Sequence, residues 1–211
     1  MLSAGSGRSL GGSLRVAGNI SGARPFRLDH HERVSSGGRI NAVAESRKVA
    51  YIHPVTYDIM LVRVRPGLTL QETLDRLNAD FDPDADLPPL RLTQAQRNEW
   101  DRILRRVSRD IGPVESEEYL YSLTLETVGP PGRVQLDYCG DTAHIEVAYR
   151  HSGPAAVEVM ALAYRIARIV EDESGLTGHD FEVNQPTRSG DPVKAAARLS
   201  GVSEWAQHHL S

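Results

Sequence analysis

The stretch from Arg133 to Asn184 limits the fold more than any other part of the chain. Val134, Leu136 and Tyr138 alternate with Gln135 and Asp137, Cys139-Gly140-Asp141 follows, and Ile145, Val147 and Tyr149 then alternate with His144, Glu146 and Arg150. Period-two alternation on both sides of a glycine-containing turn predicts a hairpin with one buried face. Pro154 suits the first turn of a helix, where its missing N–H costs nothing. Ala156, Val159, Met160, Ala163, Ile166, Ala167 and Val170 then recur at helical spacing, and Gly175 supplies a stop. The pattern predicts an amphipathic helix laid on a sheet, with a short strand over 180–183 before Pro186.

Upstream, Thr56 to Val64 reads as a strand broken by Pro66-Gly67. Thr69-x-x-Glu72 and Thr93-x-x-Gln96 are capping boxes that open two helices, the second with Trp100, Ile103, Leu104 and Val107 on one face. Tyr119 to Val128 reads as a further strand before Gly129-Pro130-Pro131-Gly132 turns into the hairpin. The predicted order is β-α-α-β-β-β-α-β: an α+β fold with a mainly antiparallel sheet and helices on one face. Without one helix and one strand, this is the split βαβ order of ferredoxin-like folds. Residues 55–186 form the expected core domain. Residues 187–211 read as a polar tail with short helices at Val193–Leu199 and Ser203–Leu210.

Residues 1–54 differ in kind. Glycine, serine and arginine dominate, and too little apolar surface is present to offset the entropy of ordering the chain. A flexible tail, a transit peptide and an over-extended translation start are the alternatives. The periodic pattern begins only near Val55, which favours the first or the third. The segment holds eight Lys/Arg and three acids, a net of +5; the whole chain carries −4, so residues 55–211 carry −9. Such an acidic unit repels nucleic acid phosphates and suits a basic protein partner. One cysteine excludes an internal disulfide framework and a cysteine-rich zinc site. No apolar run approaches the ~20 residues of a membrane-spanning helix, and no signal-peptide core follows Met1, so a cytoplasmic location without membrane attachment is expected.

Several residues invite a chemical reading. His144 and Glu146 share a strand face and could serve acid–base work, although alternation demands polar residues there anyway. His179-Asp180 and His151-Ser152 are adjacent pairs, and Ser174 stands near a helix end, but no Gly-x-Ser-x-Gly turn accompanies them. Cys139 at its turn is a nucleophile candidate or a small buried residue. Asp80, Asp82, Asp84 and Asp86 alternate as calcium ligands can, yet Pro83 interrupts them. Counted from Asp80, Ala85 and Arg91 stand where an EF-hand needs Gly and Glu. His30-His31 and His208-His209 lie in terminal segments and read as solvated. Gly-x-Gly-x-x-Gly after a strand and the P-loop pattern are both missing. No cofactor and no metal are expected.

Val55-Thr56-Tyr57-Asp58-Ile59-Met60-Leu61 resembles the opening of a group of small uncharacterised bacterial proteins that begin Met-(Ser/Thr)-Tyr-Asp-(Leu/Ile). Ala148-Tyr149-Arg150, the helix from Pro154, Gly175-Leu176 and Asn184-Gln185-Pro186 stand where that group has Pro-Tyr-Trp, a helix, Gly-(Leu/Tyr) and Asp-Pro-Gln. Ala148 replaces the proline and Arg150 the tryptophan, and the final tripeptide is altered. The resemblance spans residues 55–186 and maps no catalytic residues. It implies an immunity- or toxin-associated role, as suspected for some of that group. A GTG codon at Val55 would serve as the start that the resemblance implies. Two functions stay open: a small acidic protein-binding module, immunity-like, or a hydrolase or transferase using His144 and Glu146 or His179 and Asp180.

Overall fold

The computed structural model describes residues 56–79, 88–127 and 129–209. The N-terminal segment 1–54 and the aspartate-rich loop at 80–87 lie outside them, and so do the expectations placed there. The elements run β1 (Thr56–Val62), α1 (Leu70–Ala79), α2 (Gln94–Asp110), β2 (Val114–Glu118), β3 (Leu123–Thr127), β4 (Val134–Tyr138), β5 (Thr142–Ala148), α3 (Gly153–Ser174), β6 (Thr177–Asp180), β7 (Gln185–Pro186) and α4 (Pro192–His209). The fold is α+β. One seven-stranded sheet has the order β2-β3-β4-β5-β1-β6-β7, and every neighbouring pair is antiparallel.

The middle of this order, β4-β5-β1-β6, holds two interleaved split units. β1 and β4 are parallel and joined through helix, with β5 inserted between them; β5 and β6 are joined through α3, with β1 between. That is the ferredoxin-like arrangement. The hairpin β2–β3 is spliced in after α2 and adds to the outer side of β4. β7 and α4 add at the opposite side.

Alternation sorts the side chains as expected. Tyr57, Ile59 and Leu61 of β1, Leu123 and Leu125 of β3, Val134, Leu136 and Tyr138 of β4 and Ala143, Ile145 and Val147 of β5 all enter one apolar core. Trp100, Ile103 and Val107 of α2 meet it, and α3 crosses its centre between α2 and α4. α3 is buried on several sides: Val159, Met160, Ala163, Ile166, Ala167 and Val170 point to the core, and Tyr164 is fully buried as well. Gly175 ends α3 with φ 72°, and its N–H donates to the Glu171 carbonyl at 3.0 Å. Both capping boxes form. Thr93 Oγ1 accepts from the Gln96 N–H at 3.2 Å, and the Thr93 N–H donates to Gln96 Oε1 at 2.9 Å. Thr69 and Glu72 repeat the exchange at 3.2 and 2.7 Å.

Three expectations need correction. The strand placed over Tyr119 to Val128 is the second arm of a hairpin whose first arm is β2. Tyr119 to Ser122 is its turn, closed by the Tyr119 N–H on the Ser122 carbonyl at 2.8 Å. β2 reads Val-Glu-Ser-Glu-Glu, too charged to stand out as a strand. The strand expected at 180–183 is shifted towards the N-terminus as β6, with the two-residue β7 after it. The polar tail with two short helices is one helix, α4, and the core does not stop at residue 186. Ala195, Ala196 and Leu199 are buried in it against α3. Alanines leave a weak apolar signal in sequence, yet they let two helices approach closely.

Candidate functional site

The sheet face opposite the core is polar, and register brings its residues into rows. One row crosses five strands: Glu115 of β2 opposes Glu126 of β3, which opposes Gln135, then Glu146, then Asp58 of β1. A parallel row runs Glu117, Thr124, Asp137, His144, Met60 and His179. Directly opposed side chains stand ~5 Å apart, where like charges destabilise a sheet. Two of the apposed pairs in the first row are carboxylates on both sides. Local bonds answer that charge. Arg133 bridges Glu126 and reaches Gln135 at 3.1 Å, and Thr56 donates to Asp58 at 2.8 Å.

The second row centres on Asp137. It is nearly buried and accepts from Gln135 at 2.8 Å and from the Thr124 hydroxyl, with Ser122 at 3.5 Å. His144 stands directly across from it. Burial pushes the His144 imidazole below its ordinary pKa, against the pull of the Asp137 charge, so the ring is neutral at neutral pH. His144 and Glu146 do share this face.

The other candidates are dispersed. β6 alternation turns His179 and Asp180 to opposite faces. His179 Nε2 meets Asn184 Oδ1 at 3.1 Å, beside Phe181. Asp180 is fully buried: Oδ2 accepts from the Tyr57 and Tyr164 hydroxyls at 2.7 and 2.5 Å, and Oδ1 accepts the Glu182 and Val183 N–H groups at 3.1 and 3.4 Å. Gln185 donates to the Tyr164 hydroxyl at 2.6 Å. Burial raises the Asp180 pKa in spite of these donors, and pushes the Tyr57 and Tyr164 phenols far up. The arrangement gives both Asp180 oxygens two donors each. Sequence reasoning missed the two tyrosines; their alternation marked them only as core.

A second buried carboxylate, Glu171 of α3, accepts from the Gly178 N–H and the Thr187 hydroxyl, each at 3.0 Å, with Arg188 Nε 3.8 Å from its other oxygen. Gly178 is needed there, because an added Cβ would lie 2.2 Å from Thr187 Oγ1. His151 packs against Gly132 rather than beside a nucleophile, and Ser152 precedes α3 without a side-chain cap. Ser174 bonds the Val170 carbonyl at 2.6 Å. Burial pushes the Cys139 thiol up to about 12, which keeps it a thiol rather than a nucleophilic thiolate.

A cavity of about 340 Å³ lies between α2 and β2, lined by Gln94, Arg97, Trp100, Asp101, Ser116, Glu117, Glu118 and Leu123. None of the histidines singled out above lines it. Among the described residues, no group of three or more His, Cys, Asp or Glu is clustered as a metal ion would need. No helix among them is long and apolar enough to cross a membrane. No family model matches the chain, and no curated protein or solved structure matches it significantly.

Proposed function

We propose that the chain is a protein-binding module whose acidic sheet face receives a basic partner protein. One observation supports the reading above the rest: the register that aligns Glu115, Glu126, Glu146 and Asp58 in one row over five strands. A row of carboxylates gives this face a negative potential, which favours a cationic surface and speeds its encounter. The −9 charge of residues 55–211 acts in the same direction at longer range. An immunity-like role, as the resemblance implies, fits a protein that neutralises a basic partner by covering it.

Parallel affinity capture from the source cell, with the wild-type chain and the Glu126→Lys/Glu146→Lys variant, tests this. The expected result is a basic protein retained by the wild type, released by salt, and lost from the variant. Identical captures by the two chains would refute the role of the face.

A further inference from the structure

Among the described residues, one histidine nitrogen is buried with no hydrogen-bond partner: Nε2 of His151. The ring lies against Gly132, where an added Cβ would stand 2.5 Å from Cε1 and 2.9 Å from Nε2. Gly132 closes the turn between β3 and β4, with φ 122° and its N–H donated to the Gly129 carbonyl at 3.2 Å. His151 stands on the other connection, from β5 to α3. Next to it, Ser152 precedes α3 without a side-chain cap, and the Gly153 N–H donates to Ser200 Oγ of α4 at 2.9 Å. One imidazole therefore fills the space where the β4–β5 ladder ends, beyond its last pair of Val134 and Val147.

No acceptor is in reach of Nε2, so the neutral ring keeps its hydrogen on Nδ1 and turns only a lone pair inward. A second proton has to go to Nε2. It would create a buried cationic N–H with nothing to receive it, which costs far more than an idle lone pair. The surroundings oppose that proton. Burial, and after it the Arg150 charge, hold the imidazole below its ordinary range. His151 also stands just before the N-terminus of α3, the positive end of the helix dipole. The turn 129–132 carries no charged side chain, and Arg133 after it is engaged with Glu126 and Gln135. On the α4 side, Ser200 is engaged with Glu204 at 3.2 Å. No carboxylate is among the groups that act on the ring. His144, the other histidine held low by burial, differs: Asp137 stands across from it and pulls its pKa back up.

We propose that His151 is an acid-released latch: as the neutral imidazole it seats the β3–β4 turn against the start of α3, and once protonated it leaves that seat, freeing segments 129–132 and 150–153 together while the strands stay paired. The latch is independent of what the acidic face binds. Released, the ring takes its second proton at the ordinary histidine value of about 6.5; seated, it takes it only at lower pH. The latch therefore holds fully above that value and weakens as pH falls through it. The β3–β4 and β4–β5 ladders keep their own hydrogen bonds, so the opening is confined to the two connections.

The test is an NMR titration of the full chain from pH 7 to pH 4.5. It follows the His151 Cε1–H signal, the nuclear Overhauser contact between that ring and Gly132, and the amide shifts of Gly132, Gly153, Leu136 and Ile145. Expected is one transition with a midpoint below about 6.5, in which the ring gains its proton, the contact to Gly132 is lost and both glycine amides shift, with Leu136 and Ile145 unmoved. His151→Gln, neutral throughout, should abolish the glycine shifts, and His144→Gln should leave them in place. A ring that titrates at or above the ordinary value would overturn the latch. So would a ring that gains its proton and keeps the contact, a ring still neutral and seated at pH 4.5, a transition shared by Leu136 and Ile145, or glycine shifts that persist in His151→Gln. Should that variant fail to fold, the wild-type titration decides alone.

Discussion

The two ends of the sheet solve the same problem in opposite ways. At the β7 end, the last strand has two residues, one of them Pro186, and α4 follows directly. Behind it, Asp180 and Glu171 are buried; the Asp180 oxygens and Glu171 Oε1 gather donors from β1, α3, β6, the following turn and the loop after β7, while Glu171 Oε2 faces Arg188 at 3.8 Å. At the β2 end, the strand has five residues: Glu115 is exposed, Glu117 accepts from the Tyr119 hydroxyl at 2.7 Å, and Glu118 is bridged to Arg97 at 3.1 Å. The first end is closed by polar groups turned inwards; the second is guarded by polar groups turned outwards. A buried carboxylate with its donors in place fixes geometry, because each donor left behind would be costly. An exposed carboxylate fixes little. Stability should therefore concentrate at the β6–β7 end rather than at the β2 end.

The sharpest way to break this contrast is Asp180→Ala. It strands two tyrosine hydroxyls in the core and takes the acceptor from the part-buried Glu182 and Val183 N–H groups, and should cost on the order of 4 kcal/mol in denaturant unfolding. A loss below about 1 kcal/mol would mean that this end is not the anchor.

Alkaline pH probes the same anchor without mutation. Burial and the Asp180 carboxylate raise the Tyr57 and Tyr164 pKa values well above those of the unfolded chain. Stability from a raised pKa is fully present below the unfolded value, about 10 for tyrosine, and is lost as pH climbs towards the folded one. Each phenol should remove about 1.4 kcal/mol per pH unit above 10. Unfolding midpoints at pH 8 and 11 check this, and Tyr164→Phe should make the decline shallower.

Thr93→Ala at the start of α2 removes one capping bond and should cost about 1 kcal/mol. α2 forms one wall of the cavity beside β2, and the same variant should loosen amide protection in the first turn of that helix. Hydrogen exchange reads this directly. Smallest of all is Glu115→Lys, expected to lie within about 0.5 kcal/mol of wild type. If it instead destabilised the chain as much as Asp180→Ala, the outward charges would be structural and the contrast between the two ends would fail.

How much of this was legible depends on which signal each element leaves. The hairpin of β4 and β5 and the helix α3 were readable because burial on one side imposes a period, and the caps at Thr69 and Thr93 were readable because two residues at fixed spacing make them. β2 left no period: with Glu115, Glu117 and Glu118 on an outer strand, burial was not choosing its residues. α4 reads as two pieces because Gly201 looks like a break, whereas the helix runs through it at an exposed position, and Ala195, Ala196 and Leu199 make the seam with α3. The candidate residues fared by face. His144 and Glu146 are together because both lie on one strand two residues apart. His179 and Asp180 are adjacent in sequence and therefore opposed in space. The partners of Asp180 could not be read at all: Tyr57 lies far upstream, and only the sheet order brings it there.

That sheet order also sets a timetable. β1 is made before the other described strands, yet its register partners come late, with Thr56 opposite Ala148 and Met60 opposite His179. Until β5 and β6 leave the ribosome, Tyr57, Ile59 and Leu61 have nothing native to pair with. Long-range pairings of this kind slow folding and prolong the exposure of apolar strands. Among the described strands the earliest made is one of the last that can be secured, so during synthesis β1 stays exposed for long and is a natural target of a chaperone.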